Sequence, residues 1–270
     1  MKIKVLDHGY VRLVDSMGKD SDIIEAARMS TNRGFNGWNK DAGLLDFLWR
    51  HQHTSPFEMG ELTFEVQAPL FVIREWQRHR TQSYNEFSAR YSQMPDLHYI
   101  PKPGRIQRQS ATNKQGSAGV MDSVYAKNTI EGIEWTQTLA YSHYLSMLEN
   151  GVAKEVARIN TPVSRYTKMR VKANLLNWFR FLNLRLRPNA QYEIRVFAEA
   201  VAKCVKKKFP RAYSRFEEHT LHGVQFSRTE MNALRKLVAK SATTVKKDFE
   251  NEKRFDEFVK KLTLGGTELL

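Results

Sequence analysis

The chain has 270 residues, 41% of them hydrophobic and 11% aromatic, enough to bury a sizeable core as one large domain or two small ones, so disorder is not the default reading. A single cysteine, Cys204, excludes intrachain disulfides and cysteine-based zinc sites, and no apolar run reaches the roughly 18 residues that cross a bilayer. Met1 to Tyr10 lacks the apolar centre and cleavage site of a signal peptide, giving the expectation of a cytoplasmic protein with no membrane partner, while a formal charge of +14 attracts nucleic acids, nucleotides and anionic cofactors alike.

Ile3 and Val5, then Val11 and Leu13, alternate with polar neighbours, which predicts one or two short strands over Lys2 to Val14 broken by a turn at His8-Gly9. A helix is expected over Asp22 to Met29, with Asp22 and Glu25 spaced as a capping box, and a second over Asp41 to His51 that buries Leu44, Leu45, Leu48 and Trp49. Glu61 to Ala68 alternates cleanly and reads as a half-solvated strand that Pro69 stops. Leu70 to Arg80 then reads as a helix running into a loop.

Pro101 to Ser123, rich in Gly, Ser, Gln and Asn without an apolar period, predicts a mobile surface loop. Helices follow: one carrying Ile133, Ala140, Tyr141, Tyr144 and Leu148 up to Gly151, a short one holding Val156 and Ile159, and a largely buried one over Ala173 to Leu186. A further stripe runs from Ala190 through Ile194, Phe197, Ala198 and Val201 to Val205. Beyond Pro210, Ser227 and Glu230 form a capping box before a Lys-rich helical tail with a break at Gly265-Gly266. Few early strands and long later helices favour α+β over α/β: an antiparallel sheet flanked by long helices, with a domain over 1–210 and a basic helical extension over 211–270.

The densest chemistry lies between Arg78 and Arg90, where Arg78, His79, Arg80, Glu86 and Arg90 stand among Gln82, Ser83, Asn85 and Ser88. Guanidinium forks match phosphate oxygens, and short hydroxyls or backbone amides complete an anion cradle. Alone, such a triplet is most often a solvated helix end. Ser88 has no evident histidine and carboxylate relay, which favours a phosphate or ribose hydrogen bond over nucleophilic attack. His51, His53 and Glu58 are a possible metal-ligand set, but a helix end need not make them converge, and no metal is expected. Cys204 reads as an ordinary helix residue.

The spacing Arg78-His79-Arg80, seven residues, then Ser88 resembles the signature of the flavin-dependent thymidylate synthases. The resemblance runs from Met1 to about Phe209 and includes His51 to Glu58, Glu155-Val156-Ala157-Arg158 and Phe181-Leu182-Asn183-Leu184-Arg185. It implies reductive methylation of dUMP to dTMP with FAD as cofactor, 5,10-methylenetetrahydrofolate as carbon donor and NADPH as reductant, in a homotetramer with sites shared between subunits. It further implies that Ser88, Arg90 and Arg158 hold the dUMP phosphate and sugar, and that Glu86, Phe87 and Ala89 line the site. Glu75 and Arg78 would come from a neighbouring subunit, and Arg185 would activate uracil. His53, Ser55, Arg78, His79, Arg80, Glu86, Asn174 and Arg180 would meet the flavin. Two positions depart from the common pattern: Glu75 stands where many members have Gln, and Arg180 where Asn or His is more frequent. A basic nucleic-acid-binding protein is the rival from another class, but basic residues are spread along the chain without a recognised module, so no specific nucleic acid is expected.

Overall fold

The first hairpin pairs β1 (Lys2–Val5) with β2 (Gly9–Met17), from Lys2 opposite Arg12 to Val5 opposite Gly9, in a computed structural model that describes residues 1–238 and 252–263. Its turn requires glycine, because a Cβ on Gly9 would lie 2.5 Å from the Val5 carbonyl oxygen and 2.8 Å from the Phe197 ring. Next come α1 (Asp20–Arg28), α2 (Trp38–Arg50), a 3-10 turn at Ser55–Met59, β3 (Glu61–Pro69), α3 (Leu70–Trp76) and β4 (Ser83–Glu86). A small hairpin, β5 (Gln107–Gln109) with β6 (Ser117–Val120), precedes α4 (Ser123–Glu149) and α5 (Lys154–Ala157). β7 (Tyr166–Asn174), α6 (Leu175–Arg185), α7 (Tyr192–Lys208) and α8 (Pro210–Phe216) complete the part that carries the site.

Five strands form one sheet in the order β1-β2-β3-β7-β4, antiparallel at every pairing. On the inner face, Leu62, Phe64, Val66 and Ala68 of β3 and Met169, Val171 and Ala173 of β7 are buried. α6 and α7 cover them, Trp178 donating its indole N–H to the Leu62 carbonyl at 3.1 Å. The outer face is ionic: Glu65 accepts from Arg12 (Nη2, 2.7 Å), Tyr10 (2.9 Å) and Arg170 (3.1 Å), and its carboxyl is held down to about 2, first by the Arg12 hydrogen bonds. The antiparallel α+β expectation is met.

Four sequence expectations are corrected. Ala173 belongs to β7, and the buried helix begins only at Leu175, because Asn174 takes the cap position and accepts from the Asn177 N–H at 2.9 Å. The helix expected through Arg80 stops at Trp76. Pro101 to Ser123 contains the β5-β6 hairpin and a 3-10 turn at Pro103–Arg105, tied down where Arg105 donates to Glu193 at 2.8 Å. At α1 the capping carboxylate is Asp22, which accepts from the Lys19 N–H at 3.1 Å, so the helix starts earlier than the Asp22-Glu25 spacing suggests.

The chain separates into two compact units, Met1–His222 and Gly223–Leu270. The first continues past 210 because Ala212, Tyr213 and Phe216 of α8 fill the core, Phe216 stacking on Phe179 at 4.8 Å. In the second, α9 (Arg228–Val238) begins with the expected box, Ser227 N–H to Glu230 at 2.8 Å and Glu230 N–H to Ser227 Oγ at 3.3 Å, and α10 spans Glu252–Thr263. The rest of the Lys-rich tail and the Gly265-Gly266 break lie outside the described residues. Among the described residues no helix is long and apolar enough to cross a membrane.

Asp20 is 6% exposed and accepts the first two N–H groups of the α8 region, Arg211 at 2.9 Å and Ala212 at 3.0 Å. Asp20→Ala leaves both donors without their acceptor, that of Ala212 in the core, and should cost about 1–3 kcal/mol in urea denaturation. An unchanged midpoint would show that α8 is held by its apolar face alone.

Candidate active site

Pro69 ends β3 and caps α3, whose last residue, Trp76, is buried and stacks on Phe181 of α6 at 4.5 Å. Its indole N–H donates to Gln82 Oε1 at 3.0 Å, and the Tyr84 hydroxyl donates to the His79 carbonyl at 2.7 Å. These bonds turn the chain back on itself, so that Ser83–Glu86 pairs with β7 from Ser83 opposite Lys172 to Glu86 opposite Met169. The run from Arg78 to Arg90 is therefore a tight turn, a sheet edge strand and a second turn.

Within that turn, Arg185 from the far end of α6 meets Glu75 and His79. Its Nη1 pairs with the Glu75 carboxylate, its Nη2 reaches the Glu75 carbonyl at 3.3 Å, and its Nε–H donates to His79 Nε2 at 3.0 Å. His79 Nε2 acts as acceptor, so the ring is neutral with its proton on Nδ1. Burial, reinforced by the Arg185 charge, pushes the His79 pKa down to about 4. Burial also pushes the Glu75 carboxyl up from the usual carboxylate range, against the pull of Arg185. The cluster presents a fixed guanidinium whose orientation is set from two sides.

A second cluster forms around Ser88. Its carbonyl accepts from Tyr91 N–H at 3.2 Å and Ser92 N–H at 3.1 Å, while its hydroxyl accepts from Arg90 N–H at 3.3 Å. Arg90 reaches Glu155 of α5 at 3.4 Å, and Lys154 donates to the Tyr91 carbonyl at 3.3 Å, bringing this turn beside Arg158. Ala89 is buried in a small core with Met94, Tyr144 and Ala157, and Phe87 packs against it. No base is bonded to Ser88 Oγ among the described residues, which fits an anion-holding hydroxyl. Glu86 accepts from Thr167 at 2.9 Å and from Gln77 at 3.4 Å, linking the turn after α3 to β7.

The other expected residues sit at the start of α6 and midway along it. Asn174 caps its start and donates to Glu58 at 3.4 Å, near Ser55 in the 3-10 turn. Arg180 donates to Asn177 at 3.0 Å and lines a cleft of about 140 Å³ with Gln52 and Thr54, the neighbours of His53 and Ser55. Asn174 at the start of α6 stands about 16 Å from Arg185 at 1.5 Å per residue, with Arg180 midway along the helix. One chain thus gathers Glu75, His79 and Arg185, and separately Ser88, Arg90 and Arg158, while His53, Ser55, Asn174 and Arg180 stand apart from Arg78, His79, Arg80 and Glu86. Glu75 pairs with Arg185 inside one chain, so these two enter any shared site from the same subunit. His51 stacks on Phe47 at 4.1 Å, and no group of three metal-ligating side chains is found among the described residues. Cys204 is fully buried and burial pushes its thiol pKa up, as expected of a packing residue.

Sequence reasoning missed the residues that hold these groups, Thr167 near the start of β7 and Gln77 after α3. The alternation of Thr167, Met169, Val171 and Ala173 with Lys168, Arg170 and Lys172 was the available signal.

Residues 12–211 match the family model described as thymidylate synthase complementing protein. A flavin-dependent thymidylate synthase of Wolbachia pipientis is 46% identical over 87% of this chain and 83% of its own. One from Thermus thermophilus is 44% identical over 100% of this chain and 93% of its own. Among solved structures, the UMP/dUMP methylase PolB from Streptomyces cacaoi, bound with 5-Br dUMP, superposes with a TM-score of 0.73 at 30% identity, covering 82% of this chain and 100% of that one. With the Arg78 to Ser88 spacing folded as a turn, an edge strand and a second turn, and Arg185 delivered to the first turn by α6, the chain belongs to the family of the flavin-dependent thymidylate synthases.

Proposed function

We propose that this protein methylates dUMP to dTMP, taking the carbon from 5,10-methylenetetrahydrofolate and reducing equivalents from NADPH through FAD. The observation that carries the reading is Arg185, a guanidinium fixed by Glu75 and His79 at the end of α6. Uracil C5 is a poor nucleophile, and Cys204, the one cysteine, is buried in α7 away from these clusters. A guanidinium does not serve as a base near neutrality, but a fixed cation beside the ring stabilises negative charge developing at N3 and the adjacent carbonyl oxygens. The neutral His79 ring supports this by accepting from Arg185 Nε without adding a competing charge.

Ser88, Arg90 and Arg158 suit a phosphate and sugar: a hydroxyl and a guanidinium fork in one turn, and a second fork after α5. Glu86, fixed by Thr167, lines the same place with Phe87 and Ala89. A flavin fits the remaining donors. Arg78 and Arg80 are exposed and no carboxylate pairs with them among the described residues, and Gln82 keeps a buried amide NH₂ without a partner in the same turn. His53, Ser55, His79, Glu86, Asn174 and Arg180 are the other side chains assigned to hold it. When bound, reduced flavin supplies the electrons that convert the transferred one-carbon unit to a methyl group.

A homotetramer with shared sites accounts for two further observations. The assigned flavin side chains lie at both ends of α6, so one copy offers two partial sites. Trp135 and Leu139 of α4, 68% and 54% exposed, and Ile159, 76% exposed, form an apolar surface beside a groove of about 520 Å³, of the kind that marks protein contacts.

Flavin-loaded protein given methylenetetrahydrofolate and NADPH should release tritium from 5-tritiated dUMP; folded, flavin-loaded protein that releases none sinks the assignment. Arg185→Ala should lower kcat by at least about tenfold while changing dUMP affinity far less, as expected for charge stabilisation in the transition state. Equal losses in both would argue that Arg185 only binds. Acid should also weaken the fold through His79. The unfolded ring protonates near 6.5 and the folded one at about 4, so the unfolded state binds the extra proton between these values and stability falls as pH drops through that window. His79→Gln keeps an acceptor without titrating, and comparison of its Tm-against-pH curve with that of the wild type should show a flatter limb from 6.5 to 4; parallel curves would place the acid sensitivity elsewhere.

A further inference from the structure

Arg165 has no role in the resemblance or in the assigned site, yet it is the most anomalous charge in the described structure. It lies just before β7 and is 7% exposed. Its backbone is fixed on both sides, the N–H donating to the Pro162 carbonyl at 3.1 Å and the carbonyl accepting from Leu70 N–H at 2.9 Å. The guanidinium Nε and Nη1 are both sealed from solvent with no hydrogen-bond partner. No carboxylate forms an ion pair with it among the described residues. Glu86, Tyr144 and Arg158 lie within electrostatic reach, and burial is the main force lowering its pKa from the ordinary arginine range.

A buried, unpaired cation costs several kcal/mol of folding stability, and arginine does not escape by losing its proton. The nearest carboxylate, Glu86, spends its oxygens on Thr167 and Gln77 instead. Arg158, half-buried beside it, adds a second positive charge rather than a compensating negative one. His98, bridged to the Arg165 backbone, is also driven toward its neutral form, first by burial. Glu86, which does not pair with it, is the only carboxylate among the described groups acting on Arg165, beside Tyr144 and the like charge of Arg158. The missing partner is an anion rich in acceptor oxygens.

We propose that Arg165 is a further nucleotide-binding residue that takes the phosphate monoester of the substrate together with Arg158. Binding supplies a negative charge and acceptor oxygens to a guanidinium whose Nε and Nη1 have no partner in the free protein, which concentrates phosphate recognition in a cation largely shielded from water and from salt. The inference rests on the proposed dUMP site and adds to it a basis for choosing nucleotide over nucleoside. Discrimination arises because deoxyuridine, lacking phosphate, leaves Arg165 unpaired, whereas dUMP removes the penalty.

The test is calorimetric titration of the flavin-loaded full chain with dUMP and with deoxyuridine, in the wild type and in Arg165→Met. Methionine keeps an unbranched apolar stem while removing charge and donors. The variant should bind dUMP about ten- to hundredfold more weakly, the span of a lost charge-assisted hydrogen bond or two, with deoxyuridine binding changed little. Ligand-free Arg165→Met should melt no lower than the wild type, since an unpaired buried charge has been removed. Arg165→Lys, which keeps the charge without the fork, should fall between the two in dUMP preference and carries the comparison if the methionine variant does not fold. Equal loss for dUMP and deoxyuridine, or undiminished dUMP affinity, overturns the role of Arg165. A wild type that binds no dUMP overturns the proposed function itself.

Discussion

Strand β7 is hydrogen bonded along both edges, to β3 from Glu61-Asn174 to Pro69-Tyr166 and to β4 from Ser83-Lys172 to Glu86-Met169. Everything that assembles the candidate site is fastened to it. Its β3 edge sets where α3 begins and so where Glu75 stands. Its β4 edge holds Glu86 and launches the turn at Ser88. Its end passes directly into α6, which carries Arg185 back to Glu75. Three segments distant in sequence thereby converge because they share one strand, and a slip of one residue would turn every inner side chain outward.

Two arginines in this small region, Arg185 half-buried and Arg165 buried, illustrate opposite solutions to the same electrostatic difficulty. Arg185 is neutralised by Glu75 and oriented by a histidine that burial keeps uncharged. Arg165 has neither, and the surrounding groups include another arginine. The first arrangement fixes direction at the uracil end of the proposed ligand. The second leaves an unmet demand at the phosphate end. Preorganisation of this kind places the cost of ordering and desolvation in the folded protein rather than in the reaction.

Much of this was legible in the sequence where a period or a chemical spacing carried it. The alternation of Leu62, Phe64, Val66 and Ala68 located β3, and the Arg78 to Ser88 spacing located the dense turn. Proline and tyrosine chemistry was less readable: α3 ends at Trp76 because Gln82 and Tyr84 satisfy its polar end, bonds that only the folded turn creates. The last residues of β7 read as helix because Ala173 continues the apolar composition of Leu175 and Leu176, and only the cap at Asn174 divides them. The hairpin from Gln107 to Val120 has no hydrophobic face at all, so period could not report it. Arg165 carried no signal, since an unpaired charge is a property of its surroundings and not of its neighbours in the chain.

The helix α6 joins two partial sites, Asn174 at its start and Arg185 at its end, with nothing flexible between them. Each residue of an α-helix advances the chain by about 1.5 Å and turns it by about 100°. Inserting or deleting a single position between those ends would swing the Arg185 guanidinium roughly a quarter turn away from Glu75 and His79 while leaving the helix itself intact. Side chains along α6 are free to vary wherever packing permits, but its residue count acts as a phase setting for the chemistry at its tip.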